Sequence, residues 1–216
     1  MSPLVEFPSS TLVLPPRLCG SVAYYATMAR YGHVVVDTSL RHDKRQKSVH
    51  RYDIADVRGP VQLTVPLGKP TAAQGKPTWH DCPVSTHDQW WQRHLTTLES
   101  AYGRTPYFEF LIHRLEPLYS SPAAWPQWPS AIDIAREADI QIRAILGFDN
   151  DVEWTAAPAD IPTTDPDQSA HAAEPYWQIR SDRLGFIPGL SILDLIFNLG
   201  PEAPLYLKKY PLLTPN

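Results

Sequence analysis

The sequence predicts an α/β fold: an N-terminal βαβ-type unit with a mixed sheet flanked by helices, then a helical second half. Three observations carry this. Two short apolar runs, Leu12-Val13-Leu14 and Val34-Val35-Val36, bracket a stretch with apolar residues at helical spacing. Val61, Leu63 and Val65 alternate with polar neighbours at the period of a strand. Beyond residue 86, apolar side chains recur every three or four positions in several segments.

In chain order, Thr11, Leu12, Val13 and Leu14 read as a short buried strand that Pro15 and Pro16 stop, because proline lacks the N–H that a ladder needs. Residues 21–31 read as a helix, with Gly32 as its C-cap. The valine strand follows and closes at Asp37. A strand-helix-strand path joins parallel strands, and open parallel sheets take their ligands in loops at the carboxyl ends of strands. Residues 48–56 read as a strand or a loop edge, and Arg58, Gly59 and Pro60 mark a turn. Residues 68–83, rich in Gly and Pro, read as a surface loop. Thr86 is placed to cap a helix that runs to Tyr102 with Trp91, Leu95, Leu98 and Tyr102 on its apolar stripe. Pro106 opens a helix over residues 107–118. Residues 130–146 carry the clearest helical stripe (Ile132, Ala135, Ile142, Ile145, Leu146), and Gly147 stops it. Residues 155–175, rich in Ala, Pro, Asp and Thr, are expected to form a long mobile loop. A last apolar helix over residues 190–199 ends at Gly200-Pro201. No internal repeat is apparent, and residues 1–216 read as a single domain.

Composition excludes several classes. A net charge of -4 argues against a nucleic-acid binder, which needs a broad basic surface. Two cysteines are too few for a disulfide framework. No apolar run approaches the roughly 20 residues that span a bilayer, and residues 1–16 lack the pattern of a signal peptide. A cytoplasmic protein is expected, with no nucleic-acid partner. No Walker loop, G-x-G-x-x-G, G-x-S-x-G or H-E-x-x-H occurs, and no cofactor is expected.

Four constellations could carry chemistry. The first is a basic run, Arg41, His42, Lys44, Arg45, Lys47, His50 and Arg51, in an otherwise acidic chain. Guanidinium forks and ammonium charges suit a phosphate-bearing ligand; a solvated basic surface is the plainer alternative. The second is the aromatic segment Trp90, Trp91, His94 and Tyr102. Trp90 could stack on a sugar or base with His94 as a general base, or both could belong to a hydrogen-bonded core. The third, Trp79-His80-Asp81-Cys82, matches no zinc spacing, so no metal is expected. The fourth is the pair Asp194 and Asn198, four apart on an apolar helix. Polar groups there either line a ligand cleft or bond within the core.

The segments Lys44-Arg45, residues 50–54, residues 58–66, Trp91 with His94, residues 99–102, residues 105–108 and residues 192–200 together resemble the WbqC-like family of bacterial proteins. The resemblance covers most of the chain except its Pro-rich loops. Many members carry a Gln-Pro-x-Tyr-type motif after the first strand, where this chain has Pro15-Pro16-Arg17-Leu18. The resemblance implies a place in O-antigen and surface-polysaccharide synthesis, with transfer of an aminoacyl group, glycine in particular, to an activated amino sugar. On that implication, His94 and His50 are the candidate proton acceptors. Lys44, Arg45, Lys47, Arg51, Trp90, Trp91, Tyr102, Asp194 and Asn198 would hold a nucleotide sugar or other anionic small molecule. The alternative is a non-catalytic module that binds a glycan or a partner.

Overall fold

A computed structural model describes residues 11–72, 75–167 and 174–211. It has the expected α/β architecture. Strand β1 (Leu12–Leu14), helix α1 (Val22–Met28) and strand β2 (His33–Asp37) form the βαβ unit, and β1 pairs in parallel with β2, Leu12 opposite Val34. Every residue of α1 is buried, which explains a segment apolar on all sides. Ser21 caps it by accepting the Tyr24 N–H at 3.1 Å. The helix stops at Met28 with Ala29 as its C-cap, so Gly32 does not cap it. A third strand, β5 (Asp151–Thr155), pairs in parallel with the other edge of β2, giving the order β1-β2-β5. The sequence reading passed over β5.

The antiparallel pairing stands apart from this sheet. Strands β3 (Arg51–Asp56) and β4 (Gly59–Thr64) form a hairpin of their own, so the two strand directions are divided between two sheets. Helix α2 (Trp90–Tyr102) follows Asp88 and Gln89, both with left-handed backbone (φ 59° and 44°), and Thr86 makes no side-chain cap. Its buried side is therefore Trp90, His94, Leu98, Ala101 and Tyr102, while Trp91 and Leu95 are half-buried. Helix α3 (Phe108–Leu115) continues into a 3₁₀ turn over Glu116–Tyr119.

Helix α4 (Ala131–Leu146) opens with a reciprocal cap between Ser130 and Asp133 and ends at Gly147 (φ 65°). A short helix α5 (Ser181–Leu184) precedes α6 (Ile192–Leu199), and α7 (Ala203–Lys209), also unforeseen, closes the described chain. Between α6 and α7, Gly200 (φ 50°) lies against the Tyr107 ring, where a β-carbon would overlap it.

One core joins these elements. Leu12, Leu14 and Val34 of the sheet pack with α1, the hairpin residues Tyr52, Ile54 and Leu63, and the inner faces of α2, α3, α4, α6 and α7. Asp139 of α4 is fully buried and accepts from Tyr25, Arg143 (2.8 Å) and Trp154 (3.1 Å), tying α1, α4 and β5 together. Among the described residues no helix is long and apolar enough to cross a membrane.

Candidate ligand-binding site

The loop after β1 builds a polar cavity at the carboxyl end of that strand. Pro15 and Pro16 end the strand, and residues 17–21 turn the chain into α1. Gly20 is required there, since a β-carbon would lie 2.8 Å from the Tyr24 ring. Cys19 beside it adopts the left-handed region (φ 46°), which is sparsely populated without glycine. The loop is pinned from behind: Leu18 N–H donates to Ser48 O (2.9 Å), Ser191 Oγ to Cys19 O (2.7 Å) and Ile192 N–H to Gly20 O (2.8 Å). Ser191 N–H reaches Asp53 O at 2.8 Å, so the hairpin, the β1–α1 loop and the start of α6 meet at one point.

The cavity has a volume of about 300 Å³, and its walls are residues 17–21, Ser48, Arg51, Tyr52, Asp53, Asp167, Gly189 and Ser191. It lies at the carboxyl end of β1, the position that parallel sheets use for ligands. Two guanidinium groups face it. Arg17, 8% exposed, donates through Nη2 to Asp165 Oδ1 at 2.9 Å, with Asp167 Oδ2 at 3.4 Å. Arg51 donates through Nη1 to Gln62 Oε1 (3.3 Å), and Gln62 Nε2 in turn donates to Asp53 Oδ1 (3.1 Å). In both arginines the Nε–H is buried and has no hydrogen-bond partner among the described residues. A buried donor left unpaired costs about 1–3 kcal/mol; Trp79 Nε1 and Asn150 Oδ1 are buried without a partner among the described residues as well. Asp167 also accepts from Ser21 Oγ at 2.5 Å.

Of the expected ligand-binding residues, Arg51 lines this cavity. Lys44, Arg45 and Lys47 are exposed and do not line it. They belong to the loop between β2 and β3, with Asp43 accepting the Arg45 N–H. His50 stands next to Arg51 but turns away: its Nδ1 is 2.9 Å from Val65 O and its ring lies near Trp79. Burial pulls its pKa below the usual histidine value.

The aromatic segment sits behind the cavity wall. Leu18, Cys19 and Tyr52 border both the cavity and a void of about 10 Å³ that Trp90, His94 and Tyr119 also line. His94 is 2% exposed, and both ring nitrogens are engaged, with Nε2 3.1 Å from Thr64 O and Nδ1 3.2 Å from Tyr52 Oη. A carbonyl only accepts, so Nε2 carries the hydrogen, Nδ1 accepts from the Tyr52 hydroxyl, and Tyr119 Oη donates to Tyr52 at 3.1 Å. Burial pulls the His94 pKa down to about 4. Trp90 is 3% exposed and donates to Ser85 O (2.9 Å); Trp91 packs edge-on against it. Neither the imidazole nor the Trp90 face meets the cavity, because the polar atoms of this segment are the ones that stitch α2 to the hairpin.

Tyr102, Asp194 and Asn198 are likewise interior. Asp194 accepts from Tyr102 (2.8 Å), Tyr176 (2.6 Å) and Gln178 (2.9 Å); burial raises its pKa. Tyr102 Oη also accepts the Ala55 N–H at 3.2 Å. Asn198 accepts the Ile179 N–H (3.0 Å) and donates to Asp194 O (2.7 Å). These groups hold residues 176–179 against α6. In the Trp79–Asp81 turn, Asp81 accepts from Thr78 N–H and Oγ1, and burial raises the Cys82 thiol to about 11. A separate exposed group, His33, Asp151 and Glu153, brings ligand-type atoms within 4.8 Å of one another at the opposite end of the parallel sheet.

Residues not offered as site residues by the sequence reading thus line the cavity: Arg17, Asp53, Asp167 and the serines. The available signal was the loop at the carboxyl end of the first strand, where Arg17 falls at the place of the family motif. No curated protein and no solved structure matches the chain. A family model does match it, over residues 16–165. That span runs from the cavity loop through β5 to Asp165, and the chain belongs to the WbqC-like protein family.

Proposed function

We propose that the chain is a transferase of surface-polysaccharide synthesis that takes the anionic end of an activated sugar into the β1–α1 cavity. The observation that carries this reading is the convergence of Arg17 and Arg51, from different elements, each with a buried Nε–H lacking a partner among the described residues. Phosphate or carboxylate oxygens suit the forked donors of the two guanidinium groups that line the cavity. The volume of about 300 Å³ lies at the lower end of ligand sites and suits a sugar phosphate, with any nucleoside over the rim. In a transfer to an amine, the groups at hand to accept the proton are the carboxylates Asp53 and Asp167. His94 and His50, whose rings bond elsewhere, are not.

A second reading, a binding module without turnover, draws support from the nucleophile side. Burial raises the Cys19 thiol far above its usual range, and the Ser21 hydroxyl is engaged as cap and as donor to Asp167. Calorimetric titration with UDP-linked amino sugars tests the common claim. A measurable heat that weakens about tenfold in Arg51→Gln is expected; no heat with any of them sinks both readings. Mass spectrometry of the sugar after incubation with activated glycine separates transferase from module.

A further inference from the structure

The outer face of α4 carries Asp133, Arg136, Glu137 and Ile140, at the i, i+3, i+4, i+7 spacing that puts side chains on one side of a helix. The chain ahead of the helix lies alongside this face. Trp125, Pro126 and Glu137 together wall two adjoining hollows, one of about 420 Å³ and one of about 370 Å³. Trp125 is half-buried and packs against the core, so its ring is held in place. The acceptors beside it are fixed as well. Glu137 Oε1 accepts from Gln141 Nε2 at 2.8 Å, and Asp133 Oδ2 accepts from Ser130 N–H and Oγ at 2.8 and 2.7 Å.

We propose that this cleft binds a neutral saccharide, with the Trp125 ring against the apolar face of a sugar and Glu137, Arg136 and Gln127 taking its hydroxyls. The match is chemical. A pyranose has a C–H face and a rim of hydroxyls that both donate and accept, and it fits a held aromatic plane edged by an acceptor and a donor. A phosphate-bearing ligand would meet two carboxylates, Asp133 and Glu137, against one guanidinium, Arg136. The cleft shares no lining residue with the Arg17–Arg51 cavity, so it is a second site and does not depend on the first.

Ligand-observed saturation-transfer NMR on the full chain, with maltotriose, chitotriose and mannotriose as probes, tests it. Saturation is expected to reach the C–H protons of at least one trisaccharide. Trp125→Ala should abolish the signal, and Glu137→Gln should weaken binding about tenfold. Arg51→Gln should leave it unchanged. If Trp125→Ala fails to fold, the half-buried Glu137→Gln decides alone. No signal from any trisaccharide overturns the proposal. So does a signal that survives both cleft variants, or one lost in Arg51→Gln.

Discussion

Two regions on either side of Tyr52 are made of residue types that look equally suited to chemistry, and they differ in how fully their polar atoms are used. Behind Tyr52, His94, Tyr119 and Trp90 form a chain in which each ring donor or acceptor meets a protein partner. In front of it, Arg17 and Arg51 each keep a buried Nε–H without one among the described residues. Residue type does not separate a catalytic histidine from a structural one; partner saturation does. A saturated buried network rigidifies, while the two arginines line an open cavity with donors to spare.

The largest effects should come from breaking the saturated side. Asp194→Ala leaves the Tyr102, Tyr176 and Gln178 donors without their acceptor, and a loss of about 3–5 kcal/mol is expected in urea unfolding. A loss under 1 kcal/mol would mean that α6 is held by something other than this carboxylate. His94→Ala should cost about 2–4 kcal/mol, by opening space and orphaning the Tyr52 hydroxyl. Calorimetric affinity for an anionic sugar, measured on the folded fraction, should stay put. A large loss of affinity with little loss of stability would reverse the assignment of His94.

The same histidine sets a pH dependence. Its folded-state pKa of about 4 lies below the unfolded value of about 6.5. The unfolded chain therefore binds the proton first, and stability falls as pH drops through the interval between the two values. Linkage gives about 2 kcal/mol lost between pH 7 and pH 5 from this group. Asp139 and Asp194 act in the opposite sense: burial raises their folded pKa, so their contribution declines as pH rises above the unfolded carboxylate value. Urea midpoints of the wild type and His94→Gln at the two pH values isolate the histidine, and the variant should show the shallower fall. The smallest expected stability effect is on the open side. Arg51→Gln should change unfolding by less than about 0.5 kcal/mol, even as binding weakens about tenfold. A stability loss like that of His94→Ala would make Arg51 structural too.

What was legible in the sequence was local. Ser130 and Gly147 bound α4 as their capping chemistry predicts, and Gly59 sits at the hairpin turn. On α2, Leu98 and Tyr102 are buried as the stripe predicts, whereas Trp90 and His94 take the inward places expected for Trp91 and Leu95, because Trp90-Trp91 allows two registers. The polar His94 hid the correct one, which the left-handed Asp88 and Gln89 set. Strand β5 is hard to read because it is a short edge strand with only two apolar residues, Val152 and Trp154, between the exposed Asp151, Glu153 and Thr155. The basic run drew attention by clustering, yet charge density in sequence tracks solvent exposure as readily as binding. The cavity left no such trace, since Arg17, Arg51, Asp167 and Ser191 lie far apart along the chain and converge only after folding.

That convergence bears on where the protein can be cut. The match to the family model stops at Asp165, short of the expected likeness over residues 192–200, yet Ile192, Leu193, Leu195, Ile196 and Phe197 are wholly enclosed and Ser191 anchors the back of the arginine loop. The recognisable portion is therefore shorter than the folding unit. A fragment trimmed to the family boundary would lose its keystone helix and present the underside of the hairpin to water.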